Sequence, residues 1–198
     1  MTMTMTAGFS DPVHQSQAAF RALLAALSEP GTIQVLPGAV AAPEGLCAAA
    51  ATALLTLADY ETPLWLPPAL RDGAAGAWLR FHCGASLADV PAEASFAVVG
   101  GDDTAPALAD FAPGTDLFPD RSATVIVQCA ALEGGESVLL FGPGIETRRE
   151  IAPRGLRPGF WAEVTANAAL YPLGIDIILA SGEAVIGLPR STLVTEAR

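Results

Sequence analysis

The sequence predicts an α/β fold: a mixed β-sheet with helices on both faces, three layers in all. Three observations carry that expectation. Short runs rich in Val, Ile and Leu recur along the chain with strand length. In the first half they alternate with capped or wholly apolar helical segments, the pattern of strands covered by helices. In the second half they come in pairs around glycine turns, the pattern of hairpins. No internal repeat and no long linker divides the 198 residues, so one α/β domain is expected over 11–198, with a disordered N-terminal end at 1–10.

Asp11-Pro12 reads as an N-cap with proline at the first helical position. The helix that follows places Phe20, Leu23, Leu24 and Leu27 on one face, and Pro30-Gly31 stops it. Residues 32–36 form a short strand, and the apolar run 46–58 a buried helix. Strands are expected at 62–66 (TPLWL), 77–83 (AWLRFHC) and 95–99 (SFAVV), then a short helix at 104–111. A loop at 112–122, rich in turn residues, leads into the strand 123–129 (ATVIVQC). Gly134-Gly135 turns that strand into 137–141 as a hairpin, and 149–152 is a short extended piece. A last long helix spans 156–170, with Phe160, Trp161 and Val164 on its apolar side. Residues 175–180 and 184–188 close the chain as a hairpin about Ser181-Gly182.

Composition narrows the chemistry. The chain has no lysine; its ten basic residues are all arginine, beside two histidines, His14 and His82. That excludes a Schiff base to a carbonyl substrate or to pyridoxal phosphate, and a Walker-type phosphate lysine. A net charge of −11 opposes binding to nucleic acid or to anionic membrane. Cys47, Cys83 and Cys129 show no C-x-x-C spacing and read as reduced, buried thiols of a cytoplasmic protein. The run 46–58 falls short of the about 20 apolar residues that cross a bilayer, and the N-terminus lacks the basic region of a secretory signal. Charged residues make up only 16% of a chain that is 52% hydrophobic, which suits a surface partly covered by another chain. Acids and bases are segregated: Asp89, Glu93, Asp102, Asp103, Asp110, Asp116 and Asp120 fall in a stretch without arginine, whereas Arg148, Arg149, Arg154 and Arg157 cluster between Gly142 and Pro158. That cluster faces an anion, a partner's acidic patch, or solvent.

Few residues can carry chemistry. Asp176 stands in an apolar strand, where a carboxylate needs a partner; Arg190, after the next strand, is the expected one. Asp176 is then a structural acceptor or a general base. Arg190-Ser191-Thr192 offers a guanidinium and two hydroxyls, which also suits an anion, and Arg121 before Ser122 is a second anion-binding candidate. His82 is a weak catalytic candidate. With Cys83 it makes a poor metal chelate, because neighbours on a strand point to opposite faces. Gly142-Pro143-Gly144 lacks a phosphate-loop pattern and reads as a tight turn.

Six segments, taken in order, resemble a known family. They are FRALLAALSEPG (20–31), LLTLADYETPLWL (54–66), LRFHCGASL (79–87), FPDRSATVIVQ (118–128), GPGIE (142–146) and YPLGIDIILASGEAVIGLPRST (171–192). The family is the H subunit of the carbon–phosphorus lyase system, PhnH. The resemblance implies a fold similar to the large domain of pyridoxal-phosphate-dependent transferases, without that cofactor or any other. It implies a homodimer when isolated and a complex with the G, I and J subunits. It also implies a supporting role in making ribose 1-phosphonate 5-triphosphate from a nucleoside triphosphate and a phosphonate, with no established catalytic residue. Three readings follow: a docking subunit, a subunit lending an arginine to a shared active site, and an independent hydrolase or transferase using Asp176 and His82.

Overall fold

The computed structural model describes residues 6–100 and 105–197. Its centre is a six-stranded mixed sheet. Strands β2 (Leu64–Trp65), β3 (Phe96–Gly100), β4 (Thr124–Gln128) and β7 (Asp176–Ser181) run parallel as neighbours, and β8 (Ala184–Leu188) and β1 (Ile33–Val35) complete the sheet with antiparallel pairings. The register aligns Val98, Ile126 and Ile178 on one face and Ala97, Val125 and Ile177 on the other. Both rows are buried, as expected of a parallel sheet covered on two sides.

One face is covered by helices α1 (Pro12–Ser28), α2 (Ala48–Leu57) and α4 (Ala74–Cys83), with the single turn α3 (Pro68–Arg71) before α4. Asp11 caps α1 by accepting from His14 N, and Pro12 opens it, as the sequence suggests. The buried residues of α1 are Ala19, Leu23 and Ala26, whereas Phe20 and Leu24 are exposed, contrary to the apolar face expected. Close packing explains the exchange. The α1 backbone at Ala26 and Leu27 lies so near Gly187 of β8 that a Cβ there would clash, so small residues must face the sheet.

Helix α4 replaces the strand expected at 77–83. Its buried Ala75, Gly76, Trp78 and Leu79 recur at helical spacing, a pattern cut off when the segment is read from Ala77. Gly73 precedes it, and Gly84, at φ 65°, ends it in the left-handed conformation.

The second face is not covered by helices alone. It carries α5 (Phe160–Ala168) and a three-stranded antiparallel sheet ordered β6 (Arg149–Ile151), β5 (Val138–Phe141) and β9 (Leu193–Glu196). The expected hairpin between 123–129 and 137–141 is therefore absent: β4 already has β3 and β7 on its two edges, and β5 joins the small sheet. Strand β9 is an addition to the expected elements. Helix α5 starts later than expected, because Gly159 stands at φ 79° just before it. The helix expected at 104–111 is one 3-10 turn, Leu108–Asp110; Thr104 lies outside the described residues. The terminal hairpin β7–β8 forms as read.

Of the N-terminal end read as disordered, residues 1–5 lie outside the described residues. The carbonyl of Thr6 accepts from Trp78 Nε1 at 2.8 Å and meets His82 Nε2 at 3.1 Å.

Candidate functional site

The N-terminal ends of β4 and β7 lie side by side, with Thr124 opposite Asp176. Arg190, just past the end of antiparallel β8, reaches the same edge. Its Nε donates to Asp176 Oδ1 at 3.1 Å and its Nη2 to Oδ2 at 2.5 Å, a two-point pair. Its backbone N–H adds a third bond to Oδ1 at 2.9 Å. The same guanidinium ties down the loop 112–122, donating from Nη1 to Pro119 O at 2.6 Å and from Nη2 to Ser122 Oγ. The side chains of Arg190 and Asp176 are only 16% and 24% exposed.

The partnership read from the sequence is thus formed. Three guanidinium nitrogens are engaged, and one Nη1 hydrogen is left. Thr192 is buried and its N–H donates to Pro189 O, while Ser191 is half-buried beside it. Arg121 is exposed and stacks on the Phe118 ring, 4.1 Å from its centroid. Arg121 lies between Pro119 and Ser122, the two loop residues that Arg190 holds.

His82 belongs to a different place. It sits on α4, not on a strand, against the Trp78 and Phe81 rings and the Thr6 carbonyl, so the face-alternation argument about Cys83 does not apply. Asp176 and His82 share no contact. Among the described residues no group of three or more His, Cys, Asp or Glu could hold a metal ion. The three cysteines are free and half-buried. Burial pushes the Cys83 and Cys129 thiols up to about 11 and raises that of Cys47, so all three are poor nucleophiles at neutral pH.

The arginine cluster is divided in use. Arg149 donates to the Glu29 and Pro30 carbonyls just past the end of α1. Arg157 holds the Ala105 and Pro106 carbonyls and pairs with Glu163 at 2.7 Å. Arg148 and Arg154 are exposed.

Sequence reading passed over Gln128, the last residue of β4. Its Oε1 accepts from Cys47 N at 2.6 Å and its Nε2 donates to Gly45 O at 2.9 Å, fixing the start of α2 to the opposite end of the sheet. A polar residue closing an apolar strand was the available signal.

The edge is built as one shared knot of Asp176, Arg190, Pro119 and Ser122. Its relatives agree with the resemblance. Residues 7–195 match the family described as bacterial phosphonate metabolism protein (PhnH). The chain belongs to the PhnH family. It is 43% identical over 93% of its length, and 92% of the relative, to the alpha-D-ribose 1-methylphosphonate 5-triphosphate synthase subunit PhnH of Rhizobium meliloti. It is 33% identical, over 90% of its length and 85% of the relative, to the putative C-P lyase subunit protein HtxG of Stutzerimonas stutzeri. The PhnH family accounts for the order of the segments quoted above, which lie within the matched range. No helix of the described residues is long and apolar enough to cross a membrane.

Proposed function

We propose that this chain is the H subunit of a carbon–phosphorus lyase core complex. It supports formation of ribose 1-methylphosphonate 5-triphosphate from a nucleoside triphosphate and a phosphonate, and its role is to dock and position other subunits. The observation that carries this is the 43% identity across 93% of the chain to a subunit of that synthase. The site chemistry supports docking over catalysis. Asp176 is bound by Arg190 and His82 lies apart on α4, which disfavours an independent hydrolase or transferase built on them.

The reading includes partners of the G, I and J type, a homodimer of the isolated chain, a cytoplasmic location and one domain over 11–198. It also keeps the likeness to the large domain of pyridoxal-phosphate-dependent transferases, without that cofactor. A contribution to a shared anion site falls first to Arg121, whose guanidinium is exposed, and less to Arg190, Ser191 and Thr192, where the guanidinium is committed.

The test is co-purification with the other subunits, followed by assay of nucleobase release from a nucleoside triphosphate in the presence of a phosphonate. Activity is expected only when all subunits are combined. Turnover by this chain alone would overturn the docking role.

A further inference from the structure

Beside the loop tied by Arg190 lies a slot of about 300 Å³ between the turn Leu108–Asp110 and α5. Its apolar walls are Leu108, Phe111, Ala166, Leu170 and Ile175. The two polar side chains that reach it are each tied to protein partners. Glu163 Oε2 accepts from Leu108 N and from Arg157 Nη2, each at 2.7 Å. Asn167 donates to Ile175 O at 2.9 Å and accepts from Ile175 N at 2.8 Å. A slot walled mostly by apolar side chains, with its polar residues tied to protein partners, favours an apolar group, and this volume sits at the small end of ligand sites.

The lip is apolar too: Leu170 lines the slot and is 51% exposed. A single exposed leucine is ordinary, but an apolar slot with an apolar lip has the form of an anchor site at an interface. Pro113 of the loop 112–122 lines the slot and accepts from Gly174 N.

The surroundings carry a net negative charge. The segments that build and flank the slot, 105–122 and 157–175, contain Asp110, Asp116, Asp120 and Glu163 against Arg121 and Arg157. Glu163 is neutralised by Arg157, and the three aspartates are exposed. A second copy of this chain, with a net charge of −11 and no lysine, is repelled by such a surface. A segment with arginine or lysine beside an apolar side chain is attracted to it.

We propose that the slot between the turn Leu108–Asp110 and α5 is the docking site for a segment of another subunit that presents an apolar side chain next to basic residues. This rests on the reading that the chain works inside a multisubunit synthase, and it names the surface and the chemistry of the contact.

The experiment measures binding of the full-length chain to the remaining purified subunits of its synthase, with melting temperature and light scattering on each variant. Ala166→Trp fills the slot from an exposed position on α5. It is expected to weaken binding by roughly 30-fold or more, as loss of a buried anchor does. Asp116→Arg reverses an exposed charge and is expected to weaken binding by roughly 10-fold, chiefly through slower association. Gln17→Trp on exposed α1, across the sheet, is expected to bind like wild type.

If Ala166→Trp binds as tightly as wild type, the slot is not the docking site, although the subunit reading stands. If Ala166→Trp fails to fold, Asp116→Arg decides: unchanged affinity overturns the proposal. If Ala166→Trp abolishes self-association and leaves partner affinity intact, the slot belongs to a second copy and the proposal falls. If the wild-type chain binds none of the other subunits, the functional reading fails, and this surface fails with it.

Discussion

At the N-terminal ends of β4 and β7 a distant segment is tied to the sheet by a charged guanidinium, that of Arg190; at their C-terminal ends the same is done by the neutral amide of Gln128. The difference follows from what each must satisfy. The loop 112–122 offers a carbonyl at Pro119 and a hydroxyl at Ser122, and Asp176 stands beside it, so only a group with several donors meets all three. The start of α2 presents one N–H at Cys47 and one carbonyl at Gly45, which an amide matches with its own oxygen and nitrogen. The charged knot reaches further, but it carries two little-exposed charges that are safe only together.

That contrast can be broken by mutation. Arg190→Ala should have the largest effect, lowering stability by about 3 kcal/mol, because it leaves Asp176 without its partner and releases the loop. Urea denaturation measures the loss, and limited proteolysis should then cut within 112–122. A variant that melts like wild type would show that the knot is ornamental to the fold. Asp176→Asn keeps the shape and removes the charge; it should cost about 1–3 kcal/mol. Combined with Arg190→Ala, it should cost clearly less than the sum of the two, since both break one interaction.

Gln128→Ala should cost about 1–2 kcal/mol, less than either change at the charged end, because it strands one N–H and one carbonyl near the surface. Equal losses at Gln128 and Arg190 would erase the distinction between the two ends. The smallest effect at neutral pH belongs to Cys129, next to Gln128. Its thiol is pushed up to about 11 by burial, so the folded chain holds its proton where the unfolded chain, starting from 9.0, releases it. Stability from this group is present below pH 9 and falls between pH 9 and 11. Cys129→Ala should flatten that part of the alkaline stability curve, while at pH 7 it loses only the pH-independent contact of the thiol with Ala180 O.

Legibility differed across the molecule for physical reasons. The Asp176–Arg190 pair was readable because a carboxylate in IDIILA has few ways to be satisfied, and a hairpin returns the chain to the same edge. The fold of 77–83 was misread because Leu79, Phe81 and Cys83 alternate with Arg80 and His82 as in a strand, while Ala75 and Gly76, which complete the helical period, lie before Ala77. The false hairpin at Gly134-Gly135 arose because a glycine turn between two apolar runs says nothing of what already occupies a strand's edges. The slot left no mark in the sequence: Leu108 comes from one segment, Ala166 and Ile175 from another far along the chain, and they meet only in the fold.

By itself the sequence determined the α/β class, the central strands and the excluded lysine chemistries, because strand period, caps and residue types are local properties; the family followed from the resemblance of six ordered segments. The tertiary structure alone decided which face of α1 is buried, that β5 leaves the main sheet for a small one with β9, and that Arg190 divides its donors between Asp176 and one loop. Those outcomes depend on close approach, edge occupancy and donor geometry between residues far apart in the chain, which no local pattern encodes.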